Sequence, residues 1–312
     1  MIQYVVRRVL LAIPTLILML TVVFVLVRLV PGDAAIAILG DQASAESLAA
    51  MRAQLGLDQP IYIQYLDFLT KAATGDFGQS LSTGRSVLQE VAAVLPYTLE
   101  LTAAALAIGA VVGIPLGTYA ALKRNLWPDY FSRILSLVGL SFPAFVSGIL
   151  MLLAFAVHLR WFPVIGSGGG GIVDHFRILA LPALNLGLIM TAYITRVTRS
   201  SMLGVLNEDY IRTARAKGVR SGPLIRRHAL RNALIPVVTV VGLYFGTLIG
   251  NSVLTEIVFS RPGLGRLILG ALNARDYTLL QGLMVVFATF VILVNMLTDI
   301  AYGLVDPRVK YN

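Results

Sequence analysis

The run LTAAALAIGAVVGIPLGTYAAL occupies residues 101–122 and contains no charged residue. About 20 apolar residues are enough for a helix to cross the hydrocarbon core of a bilayer. Similar stretches lie at residues 9–30, 134–157, 178–195, 233–254 and 282–304. The stretch at 178–195 is the weakest, because Pro182, Asn185 and Gly187 interrupt it. These runs predict an all-α membrane protein with six transmembrane helices.

The composition supports this class. Of the 312 residues, 57% are hydrophobic and 13% are charged, which leaves too few charges to cover a soluble domain. The 25 basic residues outnumber the 16 acidic ones, but they lie between the apolar stretches, so we expect topology and not nucleic acid to explain them. The chain has no cysteine, which excludes disulfides and thiol nucleophiles, and its three histidines show no metal-ligand spacing.

The distribution of basic residues predicts the orientation in the membrane. Six spans place both termini on one side, and most of the arginines and lysines lie on that side, which the positive-inside rule identifies as cytoplasmic. We therefore expect a multi-pass protein of the cell (inner) membrane with both termini in the cytoplasm. Arg7 and Arg8 before the first stretch also fit a cleaved signal peptide, but its apolar run exceeds the roughly 7–15 residues of a signal core, which favours a retained helix.

We expect two parts. Residues 1–96 comprise the first helix and an external, mostly polar cap segment, in which residues 45–55 read as a helix capped by Ser44 and residues 62–73 read as another. Residues 97–312 comprise a core of five helices that contains the long basic loop 201–235. The glycine-rich run at 167–171 is interpreted as a linker and not as a phosphate loop, because no Gly-Lys-Ser/Thr follows it.

The loop carries the most specific signal, DYIRTARAKG at residues 209–218. We expect Asp209 to cap a first helix, Gly218 to end it, and a second helix to start near Ser221 or Gly222 with Pro223 in its first turn. The fifth span is expected to begin after Asn232. An ordinary cytoplasmic loop would explain the charges, but connections between helices usually have about 2–8 residues, so this folded-looking loop indicates a function.

The runs at 209–218 and 228–236, the latter HALRNALIP, resemble the coupling loop of binding-protein-dependent ABC importer permeases. The likeness is closest to the B-type subunit of the dipeptide, oligopeptide and nickel branch, and motifs at 29–33, 55–60, 75–78, 259–265 and 306–308 extend it along the chain. The general pattern of the family is Glu-Ala-Ala, three residues, then Gly. Here those positions hold Arg212, Thr213, Ala214 and Gly218, so the contacts of the missing Glu are assigned to no residue.

The resemblance implies a non-catalytic permease subunit that forms the path for di- or oligopeptides. Nickel or another small solute is the alternative cargo, and members of this branch also carry glutathione and opines. The implied partners are a second homologous permease, two ATP-binding subunits, an external substrate-binding protein and the lipid membrane. ATP and Mg would be bound by the ATPases, and no cofactor or metal by this chain. The implied ATPase-coupling residues are Asp209, Tyr210, Arg212, Thr213, Ala214, Arg215, Ala216, Lys217 and Gly218.

Polar residues in or near the spans are the candidates for the translocation path: Asn185, Asn251, Glu256, Asn295 and Asp299. Hydrogen bonding between helices explains each of them equally well. Glu256 is expected near the outer end of the fifth span, where it would contact a peptide amino group or face water. Asp299 is expected to pair with Arg196 or Arg199.

Three other classes of membrane protein fit the sequence less well. A secondary transporter would often show an internal repeat, and a membrane-embedded enzyme would need clustered His, Asp or Glu within its spans. Neither pattern is visible in the sequence. Exporters of the ABC class commonly carry a fused ATPase, and the sequence has no Gly-x-x-x-x-Gly-Lys-Ser/Thr motif.

Overall fold

The structure is a computed structural model that describes residues 2–29, 34–40, 43–54, 56–164 and 171–305. Within these ranges the regular structure is helical, apart from one isolated bridge between Gln79 and Ser86. The glycine-rich run at 167–171 and the motifs at 29–33, 55–60 and 306–308 lie wholly or partly outside the described residues.

The helices follow one another along the chain. They are α1 (Ile2–Leu29), α2 (Ala34–Leu39), α3 (Ala45–Gln54), α4 (Ile61–Thr74), α5 (Val87–Leu122), α6 (Trp127–Ser141), α7 (Ala144–Met151), α8 (Ile172–Leu206), α9 (Asp209–Ala216), α10 (Ser221–Pro223), α11 (Arg231–Val258), α12 (Leu264–Asn273) and α13 (Tyr277–Val305). A π-helical segment, Leu152–His158, continues α7, and another, Leu224–Leu230, joins α10 to α11.

Five helices of the described residues are long and apolar enough to cross a membrane: Val6–Leu29, Val87–Leu122, Ile172–Leu206, Ser221–Val258 and Tyr277–Met296. The bent pair Trp127–Ser141 and Ala144–His158 supplies a sixth span if its halves are counted together. The prediction of an all-α membrane protein is confirmed.

The predicted span at 134–157 is wrong as a single straight helix, because α6 and α7 meet at an angle of 100°. Phe142 leaves the helical region with φ −100° and ψ 134°, and Pro143 follows with ψ 142°. A proline ring disfavours the helical conformation of the residue before it and removes one N–H donor. The helix therefore stops at Ser141 and restarts at Ala144.

The stretch at 178–195, expected to be the weakest span, belongs to a helix of 35 residues. α8 runs through Pro182 without a break, and 67% of its most apolar window is buried inside the protein. Backbone groups that a proline frees are tolerated where neighbouring helices surround them. Four polar residues of α8 are accordingly buried inside the protein: Asn185, Thr191, Thr195 and Thr198.

The described residues form two compact units. The first contains residues 97–261 and the chain from residue 297, and the second contains residues 2–96 and 262–296. In the first unit, α5, α8 and α11 share an apolar core around Leu101, Leu186, Met190, Ile194 and Leu248.

Close approach of α5 to α8 depends on glycines spaced four residues apart. A Cβ atom on Gly113 would lie 2.9 Å from Cβ of Ile194, and one on Gly117 would lie 2.5 Å from the carbonyl oxygen of Thr195. Residues four apart share one helix face, and small residues there let two backbones meet. α5 and α8 therefore pack backbone against backbone.

The second unit contains the predicted helices of the cap segment. α3 and α4 match the expected helices at 45–55 and 62–73, and the backbone N–H of Ser47 donates to Oγ of Ser44 at 3.2 Å, which confirms the predicted cap. Asp276 accepts hydrogen bonds from Oγ of Ser80 at 2.7 Å and from the N–H of Leu279 at 2.9 Å. This buried carboxylate thus joins the turn after α4 to the start of α13.

Candidate functional site

The helix α9, Asp209–Ala216, is fixed to the protein by one face. Ile211 is fully buried and packs in an apolar cluster with Met202, Leu224, Ala229 and Ala233. These residues belong to α8, to the π-helical segment and to α11, so three elements pack against this one face of α9. Its other face is free to meet a partner.

The predicted cap of α9 is wrong by one position. Glu208 occupies the N-cap with extended backbone angles, φ −67° and ψ 146°, and its side chain makes no capping hydrogen bond. Asp209 is the first residue of the helix, where its negative charge interacts favourably with the positive end of the helix dipole. The carboxylate is also 3.6 Å from NH1 of Arg212, an exposed pair that adds little to stability.

The predicted end of α9 is confirmed. Gly218 has φ +81°, a left-handed conformation that glycine adopts without a steric penalty. Its N–H donates to the carbonyl of Arg215 at 3.0 Å, and the N–H of Val219 donates to the carbonyl of Ala214 at 3.2 Å. These two bonds satisfy carbonyl groups at the helix end and reverse the chain sharply.

The second helix begins where the prediction places it, since Arg220 is its N-cap, Ser221 its first residue and Pro223 lies in the first turn. Its course beyond this start differs from the prediction. No new span begins after Asn232, because the helix runs unbroken from Ser221 to Val258. Nδ2 of Asn232 donates to the hydroxyl of Tyr210 at 2.7 Å, so this continuous helix also holds α9 directly.

The exposed residues of α9 and of the turn that follows it include more basic than acidic side chains. Arg212, Arg215 and Lys217 are exposed, and the exposed Arg220 follows them. Ala216 is exposed as well, whereas Ala214 is half-buried against the cluster around Ile211. The surface combines a small side chain with cations on a rigid support, which suits a complementary acidic groove on a partner.

Asn185 is buried and serves contact between helices. Its Nδ2 donates to the carbonyl of Ala144 at 2.8 Å, and its Oδ1 accepts from Oγ of Ser147 at 2.7 Å. Both the nitrogen and the oxygen of the amide thus form hydrogen bonds with α7, the part of the bent span that follows Pro143. Of the two interpretations left open by the sequence, these contacts match hydrogen bonding between helices.

Glu256 does not face water, contrary to one of the two expectations. It is fully buried and accepts a hydrogen bond from Oγ1 of Thr98 at 2.6 Å. A carboxylate is costly to bury, so such groups are normally hydrogen-bonded or paired. The hydrogen bond from Thr98 therefore offsets part of the cost of burying this carboxylate.

Asn251 lines a cavity among the described residues. The cavity has a volume of about 180 Å³ and is bordered by the bend at Phe142 and Pro143 and by Tyr193 and Tyr244. The two tyrosine rings lie 4.1 Å apart between centroids. A pocket with an exposed amide and aromatic walls next to a broken helix resembles the sites that transporters build at discontinuous helices.

The other two candidates lie on α13. Asn295 is exposed, and Asp299 belongs to the helix while its side chain lies outside the described part of the structure. Arg199, one of the two expected partners of Asp299, donates to Asp129, and the guanidinium of the other, Arg196, lies 5.6 Å from the ring centre of Tyr193.

Two charged pairs were not predicted from the sequence. Arg199 pairs with the buried Asp129, and Arg261, which is 1% exposed, donates to Glu100 at 2.5 Å. The available signal was an Asp and an Arg within largely apolar helices, but only tertiary structure identifies their partners. Among the described residues, no group of three or more His, Asp or Glu side chains could hold a metal ion.

Two family profiles match the chain. The profile of the binding-protein-dependent transport system inner membrane component matches residues 113–311, and the profile of the N-terminal region of such membrane components matches residues 1–102. Together they cover both compact units. The first alone covers more than half of the 312 residues.

The chain is 42% identical over 311 residues to the glutathione transport system permease protein GsiC of Salmonella typhimurium, and this alignment covers all of both chains. The proteins of the same description from Salmonella choleraesuis and from Escherichia coli K12 show the same identity and coverage.

Among solved structures, the MetNI methionine ABC transporter in inward-facing conformations aligns with a TM-score of 0.57 and 20% identity, over 70% of this chain and 97% of that one. An amino acid ABC transporter with histidines aligns with a TM-score of 0.51 and 16% identity, over 71% of this chain and 95% of that one. At such identities the likeness supports the fold.

Proposed function

Because the chain belongs to the family of binding-protein-dependent transport system inner membrane components, we propose that it is the membrane-spanning permease subunit of an ATP-driven importer of short peptides. The proposed cargo rests on one observation, the 42% identity over the full length to permeases of glutathione transport systems. Glutathione is a tripeptide, so it falls within the expected class of cargo.

The proposed assembly contains a second homologous permease, two ATP-binding subunits and an external substrate-binding protein. ATP and Mg would bind to the ATPases, so this chain has no catalytic role of its own. The absence of a Gly-x-x-x-x-Gly-Lys-Ser/Thr motif from the 312 residues supports this division of labour.

Residues 209–218 are proposed as the contact with one ATPase. The rigid seat of Ile211, the chain reversal at Gly218 and the exposed cations Arg212, Arg215 and Lys217 support this role. A helix fixed on one face transmits displacement through packing, without chemistry. The loop would lie in the cytoplasm together with both termini, as the distribution of basic residues predicts.

The translocation path is proposed to run past Asn251, where the cavity next to the bend has aromatic walls. Tyr193 and Tyr244 would offer ring faces and hydroxyl groups to a peptide. We further propose that residues 1–96 form the first helix and an external cap, and that residues 97–312 form the transporting core.

The test begins with the tagged chain purified from membranes in mild detergent. Co-purification of ATP-binding subunits and of a second permease is the expected result. The complex is then reconstituted in proteoliposomes with its binding protein, and uptake of labelled glutathione, a dipeptide, an oligopeptide and a nickel chelate is compared. Uptake that needs an ion gradient but no ATP would contradict the importer, and uptake of the nickel chelate alone would contradict the peptide cargo.

A further inference from the structure

The ion pair between Asp129 and Arg199 joins α6 to α8. Asp129 is fully buried, and its two carboxylate oxygens accept from Nε of Arg199 at 2.5 Å and from NH2 at 2.9 Å. The backbone N–H of Asn125 donates to the same carboxylate at 2.9 Å. A bidentate contact of this kind fixes orientation as well as distance.

Arg199 lies on the stretch of α8 that leads directly into α9. Seven residues separate it from the end of α8 at Leu206, a rise of about 10 Å along the axis. Along this stretch, Met202 packs in the same buried cluster as Ile211 of α9. A displacement of α9 is therefore passed to α8 by buried side chains.

α8 is also too closely packed to bend locally at this level. A Cβ atom on Gly117 of α5 would lie 2.7 Å from Cβ of Thr198 and 3.1 Å from the backbone nitrogen of Arg199. Since the two backbones touch at the position of the arginine, α5 and α8 move together there. The guanidinium group thus sits on a rigid support.

The partner helix, α6, is one half of the bent span. α8 contacts both halves through polar side chains, because Arg199 binds Asp129 of α6 while Asn185 binds Ala144 and Ser147 of α7. The bend between the halves borders the cavity that contains Asn251. One continuous helix thus connects α9 to both sides of the bend.

We propose that the Asp129–Arg199 pair is a positioning link that transmits movement of α9 to the bent span and so ties ATP hydrolysis to opening of the path. This inference rests on the proposed importer function. Opposite charges joined by two hydrogen bonds to one buried carboxylate resist separation, so α6 follows α8 and does not slide past it. Neither side chain needs to contact the transported solute.

The experiment uses the complete complex in proteoliposomes and measures solute uptake per ATP hydrolysed. Asp129→Asn keeps the shape of the side chain and removes its charge, and Arg199→Lys keeps the charge and removes the bidentate geometry. When one residue of a network that links distant sites is altered, the coupling between the sites changes by a few-fold to tens of fold. Uptake per ATP should therefore fall by roughly 2- to 30-fold. ATP hydrolysis and co-purification of the ATPases should persist.

Arg133→Gln is the matched control. Arg133 lies one turn along α6 and is 3.5 Å from the same carboxylate, but its side chain is 43% exposed. The control should keep the uptake ratio of the original protein. The double variant Asp129→Asn with Arg199→Lys should be no worse than the more severe single variant, because the two side chains act as one unit.

Three outcomes overturn the link: an unchanged ratio in both single variants, an equal fall in Arg133→Gln, or loss of assembly in both single variants, which would assign the pair to folding. Failure of the proposed function itself is distinguishable, because the original protein would then show no ATPase partner and no ATP-driven uptake.

Discussion

Arg261 donates a hydrogen bond from NH2 to the carboxylate of Glu100 at 2.5 Å, although the two residues are 161 positions apart in the chain. Glu100 also contacts His175 at the start of α8. The buried guanidinium lies 5.8 Å from the ring centre of Tyr97. One carboxylate of α5 thus joins the segment after α11 to the first turns of α8.

Replacement of Arg261 by Gln is expected to lower the free energy of unfolding by about 2–3 kcal/mol. Removing one partner of a buried pair costs about 3–5 kcal/mol, and we expect less here because the carboxylate of Glu100 is one-third exposed, at 33%. Thermal unfolding of the purified chain in detergent measures the change. Arg177→Gln, at an exposed arginine of α8, is the control, and an equal loss in both variants would contradict the role of the pair.

The motif at residues 259–265 shows how far the sequence alone could reach. The motif FSRPGLG supports the family resemblance, but nothing in it predicts that its arginine is buried. Burial of Arg261 becomes intelligible only when Glu100 is brought beside it. Apolar runs predict helices because the signal is local, whereas the partner of a buried charge is decided by tertiary packing.

The local sequence likewise does not predict why the chain bends at Pro143 while α8 runs unbroken through Pro182. Both prolines interrupt apolar stretches, yet the first ends a helix and the second does not. Burial around Pro182 does not by itself explain the difference, because α1 and α11 also run unbroken through the exposed Pro14 and Pro236. Gly218 was predictable, in contrast, because a left-handed helix end depends on the residue itself.

Replacement of Gly218 by Val is expected to abolish most ATP-coupled uptake while the protein still reaches the membrane. A β-branched residue at φ +81° carries a strain of about 1–3 kcal/mol, so the end of α9 should adopt another path. Uptake, ATP hydrolysis and the amount of membrane-bound protein are measured together.

Gly222→Val is the matched control for this change. Gly222 is helical and a Cβ atom there meets no atom within 4 Å, as at Gly218, but it has no left-handed backbone. We expect the control to retain coupled uptake. Normal coupled uptake in Gly218→Val would contradict the proposed role of the chain reversal.

The double replacement of Arg212 and Arg215 by Gln is expected to weaken the association with the ATPase by about 10-fold or less. Exposed charges at an interface act mainly on the association rate, and salt screens them. Binding is measured at low and at physiological ionic strength, and the difference between the two proteins should shrink as salt rises. The pair Lys123→Gln and Arg124→Gln, exposed on another loop, is the control. Equal weakening in the control would indicate a general effect of charge and would contradict a specific surface on α9.

Asn251→Leu is expected to lower peptide uptake several-fold and to leave assembly with the ATPases unchanged. Asn251 lines the cavity together with the two tyrosines, and a leucine removes its hydrogen-bonding groups while keeping a similar volume. Uptake is measured over a range of peptide concentrations. Asn295→Leu, at an exposed residue of α13, compares a second candidate of the same type. If only Asn295→Leu impaired uptake, the path would have to be placed elsewhere.

Gly117→Ala is expected to destabilise the contact between α5 and α8, because the added methyl group would lie 2.5 Å from the carbonyl oxygen of Thr195. Backbone atoms on both sides leave little room to relax, and overpacking of this kind costs about 1–3 kcal/mol. Thermal unfolding in detergent measures the loss. Gly204→Ala is the control, since a Cβ atom there meets nothing within 4 Å. Because Gly204 lies in α8 and alanine favours helices, that variant should be as stable as the original or slightly more so. Equal stability of both variants would show that the two helices can separate at no cost, which would also remove the rigid support that places Arg199 opposite Asp129.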